Sequence, residues 1–482
     1  MIQLTVAQIA ASTGGRVIWP EGTAAPTDSL TSGENSVVAD VVIDSREAGP
    51  GSLFVALPGE QVDGHDYVSA ALGRGAVTAL VARPVAGVSV PLVQVPDVQR
   101  ALGDLARAVL ATLRAERDVL VVAITGSAGK TSTKDLLARL LAPLGPVIAP
   151  VGSFNNEIGL PLTVLRADGG TVALVLEMGA DAPGNLTYLT SIAPPDVAVV
   201  LMVGTAHLAG FGDRDGIAAA KSELVQGLRR HGVAVLNADD RRVAAMAPLA
   251  AGERVLTFAS ADPAADVRAE GVTLDAAGHA RFTLTTAQGR ADVTLALVGA
   301  HHVGNALAAA TVALDLGRPL EEVAGVLAEA GALSAHRMHV TTLAGGVTLI
   351  DDAYNANPDS MRAGLDALVA VAGGGRRSVA VLGEMLELGD TGPGEHRAVG
   401  RYAVERGVDL LVVVGAGARP IADGAFAAGA GDAVRTTGTV EAALDLLGAQ
   451  LRHGDVVLVK SSKGAGLAAL ADRLTELTEV QQ

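Results

Sequence analysis

Short apolar runs alternate with helical stretches along most of this chain. Between about 118 and 333 the strand-like runs are VLVVAIT, TVALVLE, DVAVVLMV and VAVLN. Continuous apolar runs of this length are typical of strands buried on both faces, as in parallel sheets with helical crossovers. Residues 266–298 depart from the pattern, because polar and apolar positions alternate there across Gly turns. This segment therefore predicts an antiparallel insertion.

The regions on either side show a related alternation. Residues 1–100 mix short runs such as SLFVAL with turn signals, which predicts a small α/β unit, and the segment VPDVQRALGDLARAVLATLRAE predicts a connecting helix. From 334 onward VTLID, SVAVLG, DLLVVVG and DVVLVK alternate with helical segments, which is typical of an open α/β sheet. We therefore expect an α/β fold with three domains: 1–100, a central P-loop-type parallel sheet with antiparallel additions over 101–333, and a Rossmann-like sheet over 334–482.

A glycine-lysine stretch, AITGSAGKTSTK, occupies residues 123–134 between an apolar run and LLARLL. Its glycines allow the backbone N–H groups to turn inward, and a helix that begins near Lys130 would add its positive end to a phosphate site. The spacing departs from GxxxxGK[ST], since Ile124 stands where the first glycine belongs. A structural turn is the alternative. We interpret the stretch as an ATP-phosphate loop formed by Gly126, Ser127, Ala128, Gly129, Lys130, Thr131 and Ser132.

Composition narrows the classes of function. The 482 residues include no cysteine, which excludes disulfides, thiolate zinc sites and cysteine nucleophiles. The net charge of −16 argues against nucleic-acid binding, which needs a basic surface. No apolar run is long enough to span a bilayer, and the N-terminal segment lacks the features of a signal peptide. We expect a cytoplasmic protein without membrane insertion, and a monomer.

Three further polar residues lie at or near predicted strand ends: Glu177 in LEMGA, His207 in VGTAHL and Lys221 in IAAAKSEL. Taken singly, each has an ordinary structural explanation. Glu177 would be a solvated strand end, His207 a loop histidine and Lys221 an exposed helix residue.

Taken together with the glycine-lysine loop, these segments resemble the Mur ligase family, which joins amino acids to the bacterial cell-wall precursor. The resemblance covers nearly the whole chain, including DSR at 44–46 and residues 51–76. The segments DDAYNANPDSM and LGEMLELG look like the family member that adds D-alanyl-D-alanine. The resemblance implies an ATP-dependent amide ligase that acts on UDP-N-acetylmuramoyl-tripeptide through an acyl phosphate. Matching segments also include FNNEIGLPLTVL, LNADD and GAHHVGNALAAA.

The resemblance also implies catalytic roles for Lys130, Glu177, His207 and Lys221. Lys130 and the loop amides would hold the ATP phosphates, Thr131 and Glu177 would hold one Mg²⁺, and His207 would place a second. Lys221 is similar to the family's carbamylated lysine, whose carboxylate-like oxygens suit Mg²⁺. Carbamylation needs the neutral amine, so the pKa of Lys221 would have to fall from its ordinary value near 10.4, or CO₂ would have to be ample.

Other residues match the family's substrate contacts. Asn305, Arg337 and Asp352 resemble residues that contact or close onto ATP. One departure lies beside them, because the family usually has an asparagine where this chain has His302. For the UDP-sugar we expect Ser45 and Arg46, a pair that a helix N-cap followed by a surface arginine would also explain. Candidates for the muramyl and dipeptide parts are Asn155, Asn156, Tyr354, Asn355, Asn357 and Lys460.

Three alternatives stay open. The first is another ligase of the same superfamily, such as the tripeptide-forming amino-acid adder or folylpolyglutamate synthase. The second is a non-catalytic nucleotide-binding scaffold, and the third is a simple P-loop ATPase or kinase. No motif in the sequence specifies whether the third residue of the UDP-linked tripeptide is a diaminopimelate isomer or lysine.

Overall fold

The computed structural model describes residues 1–20, 35–59, 62–150, 152–205, 208–332 and 334–479. These residues form three mainly parallel sheets, with helices packed on them, and one short two-stranded pair. The α/β fold class expected from the apolar runs is thereby confirmed. Among the described helices, none is long and apolar enough to cross a membrane.

The N-terminal sheet contains five short strands. The elements of this region are β1 Leu4–Thr5, α1 Val6–Ser12, β2 Arg16–Ile18, β3 Val37–Val38, β4 Asp40–Val42, β5 Ser52–Val55, α2 Val68–Gly73, β6 Thr78–Val81 and β7 Leu92–Gln94. The sheet order is β2-β7-β6-β5-β4, and only the β2–β7 pair is antiparallel, while β1 and β3 form the separate pair. Every position of β5 and β6 is buried, which explains their continuous apolar character.

The predicted connecting helix is present as α3, Val98–Glu116. It begins after Asp97, whose side chain caps the first turn. Its apolar residues recur at helical spacing and are buried in a core that also contains Leu80 of the N-terminal sheet and Val121 of the next sheet. One continuous apolar core therefore joins the first two sheets.

The middle sheet has nine strands in the order β16-β15-β14-β13-β12-β11-β8-β10-β9. All neighbouring strands from β9 to β14 in this order pair in parallel. The last two pairs, β14 with β15 and β15 with β16, are antiparallel. The antiparallel insertion predicted over 266–298 is confirmed. The elements are β8 Leu120–Thr125, α4 Lys130–Leu141, β9 Val147–Ile148, α5 Gly159–Val164, β10 Ala173–Glu177, α6 Asn185–Ile192, β11 Val197–Val200, α7 Leu208–Phe211, α8 Arg214–Gln226, β12 Val233–Asn237, α9 Arg241–Ala244, β13 Arg254–Ala259, β14 Val267–Leu274, β15 His279–Thr286, β16 Gly289–Val298, α10 His302–Asp315 and α11 Leu320–Glu329.

The C-terminal sheet has six strands in the order β17-β18-β22-β19-β20-β21, parallel except for β17. All four strands expected from the apolar runs are present, as β18, β19, β20 and β22. The elements are β17 His339–Thr342, β18 Thr348–Asp351, α12 Pro358–Ala372, β19 Ser378–Leu382, α13 Gly392–Glu405, β20 Leu410–Val414, α14 Arg419–Ala427, β21 Val434–Thr437, α15 Val440–Gln450, β22 Val456–Lys460 and α16 Ala468–Glu479.

Polar residues, two of them candidate site residues, lie at the carboxyl ends of neighbouring parallel strands. Thr125 and Glu177 end β8 and β10 in the middle sheet, and Asp351 and Lys460 end β18 and β22 in the C-terminal sheet. Because the carboxyl ends of parallel strands share one edge of a sheet, each sheet presents its polar residues together.

Candidate active site

The glycine-lysine loop connects β8 to α4, as the sequence predicted. Gly129 caps the helix in the left-handed region, with φ 86°. A Cβ at this position would overlap with Oδ1 of Asn305, so the backbone can approach α10 this closely only at a glycine. Nζ of Lys130 donates to the carbonyl of Gly126 at 2.7 Å. The lysine thus folds back over the loop amides.

Contacts with the strand end beside it hold this loop in place. The N–H of Ser127 donates to the carbonyl of Met202 at 3.0 Å, and Oγ of Ser127 accepts from the N–H of Gly204 at 2.9 Å. Desolvation lowers the pKa of the Lys130 ammonium, the Glu177 carboxylate opposes that shift, and the Arg337 charge adds to it. A polyanion bound in the loop would therefore meet a cation that is little hydrated.

Glu177 is fully buried, which rules out its interpretation as a solvated strand end. Its Oε2 accepts from Oγ of Ser153 at 2.9 Å and from Oγ1 of Thr131 at 3.3 Å. Its Oε1 has no hydrogen-bond partner, although Nζ of Lys134 lies 3.9 Å away. Ser153 is a candidate that sequence reasoning missed. Its only signal was its position next to the FNNEIG segment.

The oxygens around Glu177 suit a hard divalent cation. The hydroxyls of Thr131 and Ser153 and the unsatisfied Oε1 of Glu177 are the type of donor that Mg²⁺ prefers. Among the residues that the structure describes, no group of three or more His, Asp or Glu side chains could hold a metal ion. A Mg²⁺ here would therefore need phosphate oxygens to complete its coordination. His207, the residue expected to place a second ion, lies outside the described residues.

Lys221 lies on α8 and is only 4% exposed, so it is not the surface residue that the ordinary explanation required. Burial lowers the pKa of its amine to about 7, and the charge of Lys130 contributes to the shift. A large fraction of the amine is therefore neutral near pH 7, which satisfies the condition for carbamylation stated above.

Arg337 links the C-terminal region to the phosphate loop. Its Nη2 donates to Oγ1 of Thr131 at 3.1 Å, and its guanidinium lies 4.2 Å from the centroid of the Tyr354 ring. Both neighbours, His336 and Met338, have left-handed backbone, with φ 56° and 52°. Such conformations are costly for residues other than glycine and persist only where the surroundings enforce them. The strained backbone therefore directs Arg337 into the loop.

Asp352 and Lys460 form a buried ion pair. Nζ of Lys460 lies 2.5 Å from Oδ2 of Asp352 and donates to the carbonyl of Asn355 at 3.0 Å. Oδ1 of Asp352 accepts from the N–H of Met338 at 3.2 Å. Burial lowers the pKa of Lys460, and the Asp352 carboxylate opposes that shift. The pair therefore braces the backbone at Met338, the residue after Arg337, and direct dipeptide contact by Lys460 stays a prediction.

Two other predicted dipeptide contacts also touch the middle sheet. Asn357 caps α12 by accepting from the N–H of Ser360, and its Nδ2 donates to the carbonyl of Ser127 at 3.1 Å. The hydroxyl of Tyr354 accepts from the N–H of Ser153 at 3.3 Å. The DDAYNANPDSM segment thus lies directly on the phosphate loop.

His302 is 2% exposed and is the first residue of α10. Its Nδ1 lies 3.2 Å from Nδ2 of Asn305, and its Nε2 is buried without a hydrogen-bond partner. Burial holds the pKa of the imidazole well below its usual value, so the ring is neutral. His302, where the resemblance predicts an asparagine, therefore orients Asn305, whose Oδ1 faces Gly129.

The remaining predicted contacts separate into two places. Asn155 donates from Nδ2 to Oγ of Ser153 at 2.9 Å, and Asn156 caps the turn before α5. Arg46 forms hydrogen bonds of 2.6 to 3.0 Å with the carboxylate of Asp44, which lowers the pKa of Asp44 to about 2. Ser45 is buried in a turn rather than at the start of a helix.

Most of these residues surround one cavity of about 730 Å³ between the middle and C-terminal sheets. Five other predicted residues do not belong to the described part of its wall: Ser45, Arg46, Gly126, Glu177 and Lys221. The predicted residues that line the cavity are Ser127, Ala128, Gly129, Lys130, Thr131, Ser132, Asn155, Asn156, Asn305, Arg337, Asp352, Tyr354, Asn355, Asn357 and Lys460.

Comparison with known proteins agrees with this architecture. Three family models match the chain: the Mur ligase family catalytic domain at 37–109, the Mur ligase middle domain at 124–313 and the Mur ligase glutamate ligase domain at 336–463. The UDP-N-acetylmuramoyl-tripeptide–D-alanyl-D-alanine ligase of Mycobacterium bovis is 49% identical, with 98% of each chain covered.

Solved structures agree as well. The crystal structure of MurF from Acinetobacter baumannii has a TM-score of 0.84 and 32% identity, and covers 98% of this chain and 99% of its own. MurF ligase from Thermotoga maritima, solved in complex with ADP, has a TM-score of 0.78 and 29% identity, over 92% of this chain and 99% of its own. With these matches along nearly its whole length, the chain belongs to the Mur ligase family.

Proposed function

We propose that this chain is an ATP-dependent amide ligase that joins D-alanyl-D-alanine to UDP-N-acetylmuramoyl-tripeptide. The products are UDP-N-acetylmuramoyl-pentapeptide, ADP and phosphate, in the synthesis of the peptidoglycan precursor. The names of relatives that match over nearly the whole chain support this assignment. The observation that carries it is one cavity in which Lys130, Thr131 and Arg337 converge from two different sheets.

The phosphate loop binds ATP in this proposal. The amides of the loop and the Lys130 ammonium would hold the phosphates, and the neighbouring MurF ligase crystallised with ADP supports nucleotide binding in the family. Arg337 would add a second cation that the C-terminal region supplies. Asn305 would position the nucleotide against Gly129.

Thr131, Ser153 and Glu177 are the residues that would hold Mg²⁺, with His207 and carbamylated Lys221 proposed for a second ion. When bound, Mg²⁺ supplies positive charge that offsets the repulsion between a carboxylate and the ATP phosphates. The pKa of about 7 for Lys221 favours reaction of its neutral amine with CO₂. Glu177 is fully buried and its Oε1 has no hydrogen-bond partner, so this oxygen is available to the first site.

The chemistry follows from the inertness of a carboxylate toward an amine at neutral pH. The terminal carboxylate of the tripeptide attacks the γ-phosphorus of ATP, and the bond to the β,γ-bridging oxygen breaks, which yields an acyl phosphate and ADP. The free amine of the dipeptide then attacks the acyl carbon, and the tetrahedral intermediate collapses to the amide and phosphate. Lys130 and Arg337 offset the charge that develops on the transferred phosphoryl group.

The three regions divide these tasks. We assign the UDP-sugar to residues 1–100, with Ser45 and Arg46 as contacts, ATP to 101–333, and the dipeptide to 334–482. Asn155 and Asn156 would contact the muramyl part. Since the acyl phosphate hydrolyses readily, contacts such as that of Asn357 with Ser127 would help to exclude water. We also propose that the protein is cytoplasmic, because ATP and a UDP-linked precursor are cytoplasmic metabolites. The monomeric state expected from the sequence stays a proposal.

Mass spectrometry of the reaction product tests the proposal. Incubation with ATP, Mg²⁺, UDP-N-acetylmuramoyl-tripeptide and D-alanyl-D-alanine should give a mass equal to that of the pentapeptide precursor. D-Alanine, L-lysine and L-glutamate, offered in parallel, should give no product. Product with one of these acceptors, and none with the dipeptide, would instead support the tripeptide-forming or folylpolyglutamate activity. Phosphate release without an amide product would support a simple ATPase.

A further inference from the structure

Lysine is rare in this chain, which contains five lysines and 31 arginines. All five lysines fall in the part of the chain that the structure describes, and four of them are enclosed in the protein or in the phosphate loop. Lys463 is the one exposed lysine. The other exposed side chains with a permanent positive charge are all arginines. Lys463 therefore carries the only exposed side-chain ammonium group, which is more compact than a guanidinium.

Lys463 lies on the wall of the cavity, in the turn that follows β22. Its Nζ is 5.7 Å from the centroid of the Tyr354 ring, the same ring that Arg337 covers. The next residue, Gly464, packs so closely that a Cβ would lie 2.8 Å from Cδ1 of Leu386. Leu386 is 40% exposed and also lines the cavity. The ammonium group therefore has an apolar neighbour on the same wall.

The other lysines and arginines that line the cavity already have protein partners. Lys130 donates to Gly126, and Arg337 donates to Thr131, so both serve the phosphate loop. Lys460 is paired with Asp352. Within the described structure, the ammonium of Lys463 has neither a hydrogen bond nor an ion-pair partner. It is therefore the cation that remains for an anionic ligand on the C-terminal side of the cavity.

We propose that Lys463 binds the terminal carboxylate of the incoming dipeptide; this inference rests on the function proposed above. The amine of the dipeptide must stay free to attack, so its carboxylate is the charged group that remains for recognition, beside the peptide bond and the two methyl groups. Lys463 suits the carboxylate, and Leu386 suits the methyl groups. An extended dipeptide spans roughly 7 Å, so its carboxylate binds well away from the carbon that its amine attacks.

Steady-state kinetics with a charged and an uncharged acceptor test this assignment. The pair of acceptors is D-alanyl-D-alanine and its C-terminal amide, which lacks the anionic group. We expect Lys463→Met to raise the KM for the dipeptide about 10- to 100-fold, the range for losing one charge-assisted hydrogen bond. The KM values for ATP and for the UDP-tripeptide should not change. Lys463→Arg keeps the charge and should recover most of the loss.

The amide acceptor separates recognition from structural damage. In the unmodified enzyme, the KM for the amide should be about 10- to 100-fold higher than the KM for the acid. Lys463→Met should have similar KM values for both acceptors. Arg230→Met, which removes an exposed cation remote from the cavity, serves as the matched control and should behave like the unmodified enzyme. A preference for the acid that persists in Lys463→Met would overturn the inference.

Selective labelling provides a readout independent of turnover. Because Lys463 is the only exposed lysine, an acetylating reagent specific for amines should modify it first among the side chains, and peptide mapping would locate the label. With a nonhydrolysable ATP analogue and the UDP-tripeptide present, added D-alanyl-D-alanine should protect Lys463, and its amide should not. Full protection before any dipeptide is added would refute the assignment. If the unmodified enzyme forms no pentapeptide, the proposed function fails; if it does and Lys463→Met is unaffected, only this inference fails.

Discussion

Gly129 offers a sharp test of how closely the phosphate loop packs on α10. Gly129 and Gly184 both cap helices with nearly the same backbone, φ 86° and ψ −10° against φ 90° and ψ −15°. A Cβ at Gly129 would overlap with Oδ1 of Asn305, whereas a Cβ at Gly184 has no atom within 4 Å. The two alanine variants therefore share the backbone strain and differ in the overlap.

The magnitudes follow from these contacts. Placing alanine in a left-handed conformation costs about 1–2 kcal/mol at either position. Gly129→Ala must in addition displace Asn305 and lose its hydrogen bond with His302, which adds about 0.5–1.5 kcal/mol. We therefore expect Gly129→Ala to weaken binding of Mg-ADP about 2- to 12-fold, since about 1.4 kcal/mol is a factor of ten. Gly184→Ala should leave nucleotide binding within about 2-fold.

Isothermal titration calorimetry with Mg-ADP measures these affinities, and thermal unfolding of each variant reports the shared strain. The overlap predicts non-additivity: Gly129→Ala should have a smaller effect in an Asn305→Ala background than in the unmodified protein. Equal losses of affinity in the two glycine variants, or additive effects with Asn305→Ala, would refute the reasoning.

Three further changes test the site. Lys130→Ala should abolish ATP-dependent amide formation while the circular dichroism spectrum stays native; retained activity would contradict the phosphate-loop assignment. Lys221→Ala should be almost inactive and partly rescued by a short-chain carboxylate, which could replace the carbamate oxygens; the same carboxylates added to Lys130→Ala are the control. Activity that persists in Lys221→Ala would remove the carbamate proposal. Ser153→Ala leaves Oε2 of Glu177 without its shorter hydrogen bond, at 2.9 Å, and should raise the Mg²⁺ concentration needed for half-maximal rate several-fold. An unchanged Mg²⁺ requirement would show that Ser153 has no part in the metal site.

The sequence by itself was sufficient for the fold class, because buried parallel strands appear as continuous apolar runs. The antiparallel insertion could also be predicted, from its alternating polar and apolar positions and its Gly turns. β21 was missed, since its four residues, VRTT, contain one buried apolar residue and no apolar run. The phosphate loop could be found because all its parts lie within about a dozen consecutive residues.

Only the tertiary structure could decide which polar groups meet one another. Lys460 was expected at the dipeptide, but its nearest partner is Asp352, 108 positions away in the chain. Asn357 contacts Ser127 across 230 positions, and Arg337 contacts Thr131 across 206. Ser153 only adjoins the FNNEIG segment and Lys463 belongs to no motif identified in the sequence, so both became visible only through their neighbours in the structure. Local patterns determine the elements, whereas the partners of a buried charge depend on how distant segments pack, and no short-range pattern encodes that packing.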